Sequence, residues 1–241
     1  MFNLFSKNKT ITTLPIQTDI HSHILPGIDD GAPDMATSII LIKGLQQLGI
    51  QKIIATPHII GDLYRNTPDT INTALQQTKA ACAKENINIE LSAGAEYMLD
   101  DHFINLLRTG QPLMAIKDNI ILTEQSYASP TSNLEKITFE IITSGYQPIM
   151  AHPERYNYYH HDHSRFHYLK ELGYLLQINL LSLTGYYGKP VAKAAHYILK
   201  HELASLAGTD IHHVKHLNTL QQKKNLALFD KYADKASFNN F

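Results

Sequence analysis

The run Thr18-Asp19-Ile20-His21-Ser22-His23 places two imidazoles two residues apart at the end of an apolar stretch. Residues i and i+2 of an extended strand project to the same face, so His21 and His23 point at one spot, which is the outline of a metal site. Taken alone, the spacing fits two surface histidines on a loop better. The pattern recurs along the chain. Ala55-Thr56-Pro57-His58, Ala93-Gly94-Ala95-Glu96, Leu122-Thr123-Glu124, Met150-Ala151-His152-Pro153-Glu154-Arg155 and Gly208-Thr209-Asp210-Ile211-His212 are apolar runs that stop at a group able to bind a hard or borderline divalent cation. A buried strand end has no reason of its own to finish in an unpaired imidazole or carboxylate, and shared coordination of metal supplies one.

Such junctions need strands to carry them. Strands are expected near 16–20, 52–56, 87–94, 120–122, 148–151, 174–178 and 203–207. Between them, helices are expected near 34–48, 67–85, 133–144, 163–172, 189–200 and 214–232, with Asp34 as an N-cap and Gly49 as a stop. About seven βα units of this kind imply parallel strands with helices outside. An open sheet gathers its functional residues at one switch point, whereas a barrel collects them from the carboxyl ends of many strands. Candidate ligands end nearly every strand here, so the expected fold class is α/β, a distorted (β/α)7 TIM-like barrel. A single domain is expected over 1–241, with 1–15 as a mobile leader.

Composition narrows the function. The formal net charge of the 241 residues is -1, which excludes the electrostatic footprint of a nucleic-acid binder and leaves any anionic substrate to local groups. No stretch has the roughly 18 uninterrupted apolar residues of a membrane span, and none resembles a signal peptide, so a cytoplasmic protein without membrane insertion is expected. The one cysteine, Cys82, falls in an expected helix and reads as a buried thiol.

Taken together, His21-Ser22-His23, Leu25-Pro26-Gly27-Ile28-Asp29-Asp30-Gly31, Thr56-Pro57-His58, Ala151-His152-Pro153-Glu154-Arg155-Tyr156 and Gln177-Ile178-Asn179 resemble the polymerase and histidinol phosphatase (PHP) family. Ser182-Leu183 and Tyr187-Gly188 extend the likeness, which spans about residues 18–213 and is greatest to the bacterial capsule and exopolysaccharide tyrosine phosphatases of the CpsB/YwqE type. The resemblance implies a protein-tyrosine phosphatase with three divalent ions, most often manganese. It implies His21, His23, Glu96 and Asp210 around one ion, Glu96, Glu124 and His152 around a second, and Asp30, His58 and His212 around a third. Imidazole and carboxylate ligands without thiolate suit Mn²⁺, Fe²⁺ and Zn²⁺ alike.

Arg155, Asp30 and His58 are the expected catalytic residues. Arg155 is read as a phosphate clamp, because its planar fork takes two oxygens at once. Arg65, on a rim loop after His58, is read as a second anion contact. The resemblance also implies a phosphotyrosine protein as partner, the tail of a bacterial tyrosine kinase. Histidinol phosphate or another small phosphomonoester is the alternative substrate, and a metal-dependent phosphoprotein-binding module without turnover is the alternative from another class. Cys82 lacks the Cys-x5-Arg context of thiol-based phosphatases, which fits hydroxide rather than thiolate as nucleophile. His160, His161, His163 and His167 follow no strand end and read as a solvated loop and helix start, as do His102, His196, His201 and His216.

Overall fold

A computed structural model describes residues 13–233 and 238–239. Strands β1 (Thr18–Asp19), β2 (Lys52–Ala55), β3 (His58–Ile59), β4 (Glu90–Ala93), β5 (Glu96–Met98), β6 (Ile120–Glu124), β7 (Gln147–Ala151), β8 (Leu175–Asn179) and β9 (Ala204–Gly208) pair in parallel throughout. They form a three-stranded sheet, β1-β2-β4, and a six-stranded sheet, β3-β5-β6-β7-β8-β9. Between them run helices α1 (Met35–Gln47), α2 (Pro68–Lys84), α3 (Asp101–Arg108), α4 (Leu134–Thr143), α5 (Ser164–Glu171) and α6 (Lys189–Lys200), and α7 (Val214–Leu220) and α8 (Lys223–Ala233) follow β9. The fold is α/β with parallel sheets. No helix among the described residues is long and apolar enough to cross a membrane.

The division into two sheets has a local cause. Pro57 has no N–H to give to a ladder, so β2 ends at Ala55 and pairing resumes at His58. The neighbouring strand breaks at the same level, at Gly94-Ala95, and Gly94 N–H donates to Ala55 O while Glu96 N–H donates to Pro57 O. Past both breaks His58 and Glu96 lie side by side in register. Interruptions of this kind re-aim side chains, and here they deliver two of the expected ligands. At the other margin, the segments following β1 and β9 touch through a parallel bridge between Ser22 and Ile211, supported by His23 N–H to Ile211 O at 3.0 Å and Asp210 N–H to His21 O at 2.8 Å.

Helix starts follow their sequence signals. Asp34 caps α1 by accepting from Thr37 N–H, and Thr67 and Thr70 form a reciprocal capping box ahead of α2. The largest core cluster includes Leu41 and Leu45 of α1, Phe166 of α5, Ile198 of α6 and strand residues such as Ile53 and Ile178. A smaller cluster consists of Ile20, Ile54, Ile116, Leu122, Ile149, Ala151 and Leu206, drawn mostly from the strands themselves.

Three expectations need correction. Helix α3 lacks any counterpart in the sequence reading, although Asp100 accepts from Phe103 N–H as its N-cap and Phe103 and Leu107 bury its inner face. The single helix expected over 214–232 is two, because the chain turns at 221–222. Of the leader expected over 1–15, residues 1–12 lie outside the described residues, but Leu14 is buried and donates its N–H to Leu48 O, so the packed chain begins ahead of β1.

Gly208 ends β9 against the backbone that carries His21. A Cβ at this position would lie 2.6 Å from His21 Cβ, closer than packed carbons approach. Gly208→Ala is therefore expected to cost about 1–3 kcal/mol by overpacking, a fall in Tm of roughly 3–10 °C for a chain of this size. Thermal unfolding of the metal-free protein measures it, and an unchanged Tm would mean that His21 yields freely.

Candidate metal centre

His21 and His23 turn to the same side of their extended segment, with ring centroids 5.4 Å apart. Neighbours set their tautomers. Gln177 donates through Nε2 to Ile178 O and lies 3.0 Å from Asn179 Oδ1, which leaves its Oε1 to accept at 2.9 Å from His21 Nδ1. Asp29 Oδ2 accepts from His23 Nδ1 at 2.7 Å. Each ring thus directs an Nε2 lone pair inward, and the two lie 3.3 Å apart. Neutral imidazoles in these tautomers cannot bond to each other, and a cation between them removes the conflict.

The remaining ligands close around this pair. Fully buried Glu96 has Oε2 3.1 Å from His21 Nε2, 3.3 Å from His23 Nε2 and 3.2 Å from His58 Nδ1, and Oε1 3.1 Å from His152 Nε2. Glu124 Oε1 stands 2.9 Å from His58 Nδ1. Asp30 Oδ1 faces His58 Nε2 at 3.4 Å and His212 Nε2 at 3.5 Å. Asp210 Oδ1 faces His21, His23 and His212 at 3.3, 3.5 and 3.4 Å.

All nine expected metal ligands fall into four overlapping groups, His23-Asp30-His58-His212, His21-His23-Glu96, His21-His152-Asp210 and His58-Glu96-Glu124, whose ligand atoms lie within 4.8 Å of one another. This grouping differs in detail from the expected partition: His58 joins Glu96 and Glu124, and His152 joins His21 and Asp210. Buried His58 Nδ1, Glu96 Oε2 and Glu124 Oε1 have no aligned hydrogen-bond partner. Unsatisfied buried atoms of this kind are costly, and their convergence fits divalent metal.

Electrostatics agree. Burial opposes ionisation of Glu96, yet His21 and His58 hold its carboxyl well below the usual range. His21, His212 and Arg155 do the same for buried Asp210. A hydrogen bond from His212 lowers Asp30 to about 2. Despite burial, Glu96 and Asp210 raise His21 to about 9, so without metal the pocket attracts protons in its place. His152 and Asp210 both adopt left-handed backbone, at φ 33° and 50°. Non-glycine residues there carry strain of about 1–3 kcal/mol, which clusters at functional sites.

Arg155 is part of this assembly. Its Nη1 donates to Asp210 Oδ2 at 2.6 Å, where Asn179 Nδ2 also donates at 2.6 Å. Its guanidinium lies 5.0 Å from the Tyr127 ring and 4.4 Å from the Tyr187 ring, and its side chain keeps 22% exposure. The pairing is therefore no ordinary surface salt bridge. Arg65 is placed otherwise: exposed Arg65 donates through Nε to Gly61 O and lines a cleft of about 600 Å³ with Asp100 and His102, apart from the nine-residue cluster.

Sequence reasoning missed the residues that hold the ligands. Asp29, Gln177 and Asn179 are buried or nearly so beside them, and Asp19 orients the β1 end by accepting from Thr209 N–H and Oγ1. Their signal was polarity within otherwise apolar strands and the doubled Asp29-Asp30. The histidines set aside fall outside the four groups, as expected. His216 is nonetheless not solvated: it is buried and accepts from His212 N–H through Nδ1, because α7 folds back over the β9 end. Cys82 is buried, as its helix position implied.

Comparison with known proteins agrees with this geometry. Residues 17–239 match the family described as capsular polysaccharide synthesis, CpsB/CapC. The tyrosine-protein phosphatase YwqE of Bacillus subtilis is 32% identical over 200 residues, 83% of this chain and 79% of that protein. The tyrosine-protein phosphatase CpsB of Streptococcus pneumoniae is 25% identical over 223 residues, 90% of this chain and 91% of that protein. A solved chain from the crystal structures of YwqE and CpsB, described as metal-dependent tyrosine phosphatases, superposes with a TM-score of 0.78 at 28% identity, covering 92% of this chain and 96% of its own. With its ligand cluster inside the matched span, the chain belongs to the CpsB/CapC family of capsular polysaccharide synthesis.

Proposed function

We propose that this chain is a metal-dependent protein-tyrosine phosphatase, a phosphoric monoester hydrolase of capsular or exopolysaccharide synthesis. The observation that carries the reading is the convergence of nine imidazole and carboxylate ligands next to a half-buried, forked arginine. Phosphotyrosine and water give tyrosine and inorganic phosphate. The substrate is a phosphotyrosine protein, in our reading the tail of a bacterial tyrosine kinase, met in the cytoplasm.

The ligand set accommodates three divalent ions, manganese being the expected one, held by His21, His23, Asp30, His58, Glu96, Glu124, His152, Asp210 and His212. Bound there, divalent metal supplies Lewis acidity toward phosphoryl oxygens and lowers the pKa of water toward about 7. Arg155 keeps Nε and Nη2 for the equatorial phosphoryl oxygens while Nη1 stays on Asp210, and it stabilises the charge that develops there. Asp30 and His58 face the same space and orient the reacting group. The leaving phenol has a pKa of about 10 and needs less protonation than an alkoxide.

The architecture that suits this chemistry is a distorted (β/α)7 barrel in one domain over 1–241. Support comes from counting β2 with β3 and β4 with β5 as interrupted single strands, from the Ser22–Ile211 bridge and from the small apolar cluster between strands. A phosphate contact for Arg65 stays part of the reading only with a change of its side-chain direction.

Phosphate release from a phosphotyrosine peptide tests the activity. A chelator is expected to abolish turnover and Mn²⁺ to restore it; full turnover without metal would sink the reading. Mn²⁺ at 100 times its Kd is expected to stabilise the fold by about 2.7 kcal/mol, a rise in Tm of roughly 5–10 °C. Glu96→Gln, which removes charge from the most shared ligand, is expected to lose most of that rise.

Arg155→Lys keeps the charge but loses the fork and the grip on Asp210. A decrease of roughly 30-fold to 1000-fold is expected, equally in kcat and kcat/KM, corresponding to about 2–4 kcal/mol of transition-state stabilisation. Steady-state kinetics at equal metal content measures it, and both constants within about twofold of wild type would place Arg155 outside the reaction.

A further inference from the structure

The candidate ligands straddle a seam between the two sheets. His21 and His23 continue β1, an edge strand of the smaller sheet, and Asp210 and His212 continue β9, an edge strand of the larger one. Asp210 Oδ1 lies 3.3 Å from His21 Nε2 and 3.5 Å from His23 Nε2, so a slip of either edge parts them. Among the described residues, β1 and β9 themselves share no ladder.

Asn239, beyond α8, spans the gap where that ladder would begin. Its Nδ2 donates to Thr18 O and to Ala207 O, both at 2.8 Å, and its Oδ1 accepts from Ala207 N–H at 3.0 Å. A side-chain amide carries the donor and acceptor of a peptide group, and two carbonyls facing one end fix which end is the nitrogen. Asn239 N–H also donates to Ser205 O at 3.3 Å, and its neighbour Phe238 is buried in the main core. The backbone here is left-handed, at φ 61°, a conformation that asparagine adopts more readily than most residues.

From this point toward the ligands the seam is joined step by step. Asp19 accepts from Thr209 N–H and Oγ1, then Asp210 N–H donates to His21 O, and then Ser22 bridges Ile211. Asn239 supplies the step farthest from the ligands, from a segment outside both strands. Without its amide, Thr18 O and both polar backbone groups of Ala207 lose their partner, and the two edges rely on contacts that belong to the ligand-bearing segments themselves.

We propose that Asn239 is a positioning residue, which closes the seam between β1 and β9 and so holds His21 and Asp210 at the spacing a shared cation needs. This rests on reading the nine residues as a metal centre.

Two measurements on the full chain test it. Hydrogen exchange of individual amides in the metal-free protein reads the seam, and calorimetry with Mn²⁺ reads the ligands. Asn239→Gly keeps the left-handed backbone and removes the amide. Asn239→Asp keeps the shape but turns an acceptor toward two carbonyls. In both variants the Asp210 and His23 amides, which bond across the seam, are expected to exchange about tenfold faster relative to Ile149 and Met150 of β7, and the Kd for Mn²⁺ to rise about threefold to tenfold. Ile141→Val, a core change in α4, lowers stability away from the seam and should leave the exchange ratio and the Kd at wild-type values. An unchanged exchange ratio in either Asn239 variant, a faster seam with an unchanged Kd, or the same two changes in Ile141→Val would overturn the proposal. A wild type that takes up no Mn²⁺ would remove the metal reading, and the exchange ratio alone would then decide whether Asn239 closes the seam.

Discussion

Glu96 is the group on which the site depends. A carboxylate at 0% exposure is costly unless cations or donors surround it, and this one has four imidazoles within 3.3 Å. His21 and His23 follow β1, His58 opens β3 and His152 follows β7, while Glu96 itself opens β5, so the group holds these four strands to one point. In protonated form the rings can neutralise Glu96, but they then repel one another; His21 and His23 bring Nε2 atoms within 3.3 Å. Divalent metal resolves both problems at once, since imidazole lone pairs and carboxylate oxygens then share the same partners.

Around that centre lies a layer of groups that orient the candidate ligands. Gln177 fixes the His21 tautomer, Asp29 that of His23, and Asn179 with Arg155 occupies Oδ2 of Asp210 so that Oδ1 remains toward the imidazoles. Such outer contacts orient ligands and raise their basicity. Asp29 reaches further, accepting from His58 and Gly31 N–H, and so ties the loop after β1 to β3. Glu154 supports the next layer: its buried carboxylate accepts from Asn179 N–H and Ser182 Oγ, locking the β8 end beneath Asp210. The left-handed backbone at His152 and Asp210 is affordable because this network overdetermines both positions.

Much of this was legible in the sequence, and the reason is physical. Most of the ligands follow an apolar run, and a one-dimensional pattern of that kind survives without knowledge of tertiary contacts; Asp30, in the loop after His23, was implied only by the family resemblance, and all nine expected ligands meet. The α1 start was equally local, written in Asp34 and its bond to Thr37. What escaped depends on long-range partners. Gln177 contacts a residue 156 positions away, and a polar residue in a strand says nothing by itself about whom it faces. The break at Gly94-Ala95 matches the one at Thr56-Pro57 only once β2 and β4 are paired, and the short α3 has too few turns for periodicity to announce it. His216 read as a surface residue because nothing local reveals that α7 packs its ring under His212.

Cys82 sharpens the chemical conclusion. Its thiol is buried in α2 and its pKa is raised by desolvation, so thiolate is disfavoured, and the Cys-x5-Arg phosphate cradle is missing around it. The nucleophile for phosphoryl transfer must therefore come from elsewhere in the chain or from water. Among the described residues, the place where cationic, forked and metal-binding groups coincide is the mouth formed by Arg155 and the nine ligands. In the proposed reaction, water activated there would require no side chain to form a covalent bond, which leaves the residues of this chain to act through position: candidate ligands that converge and a guanidinium held by Asp210.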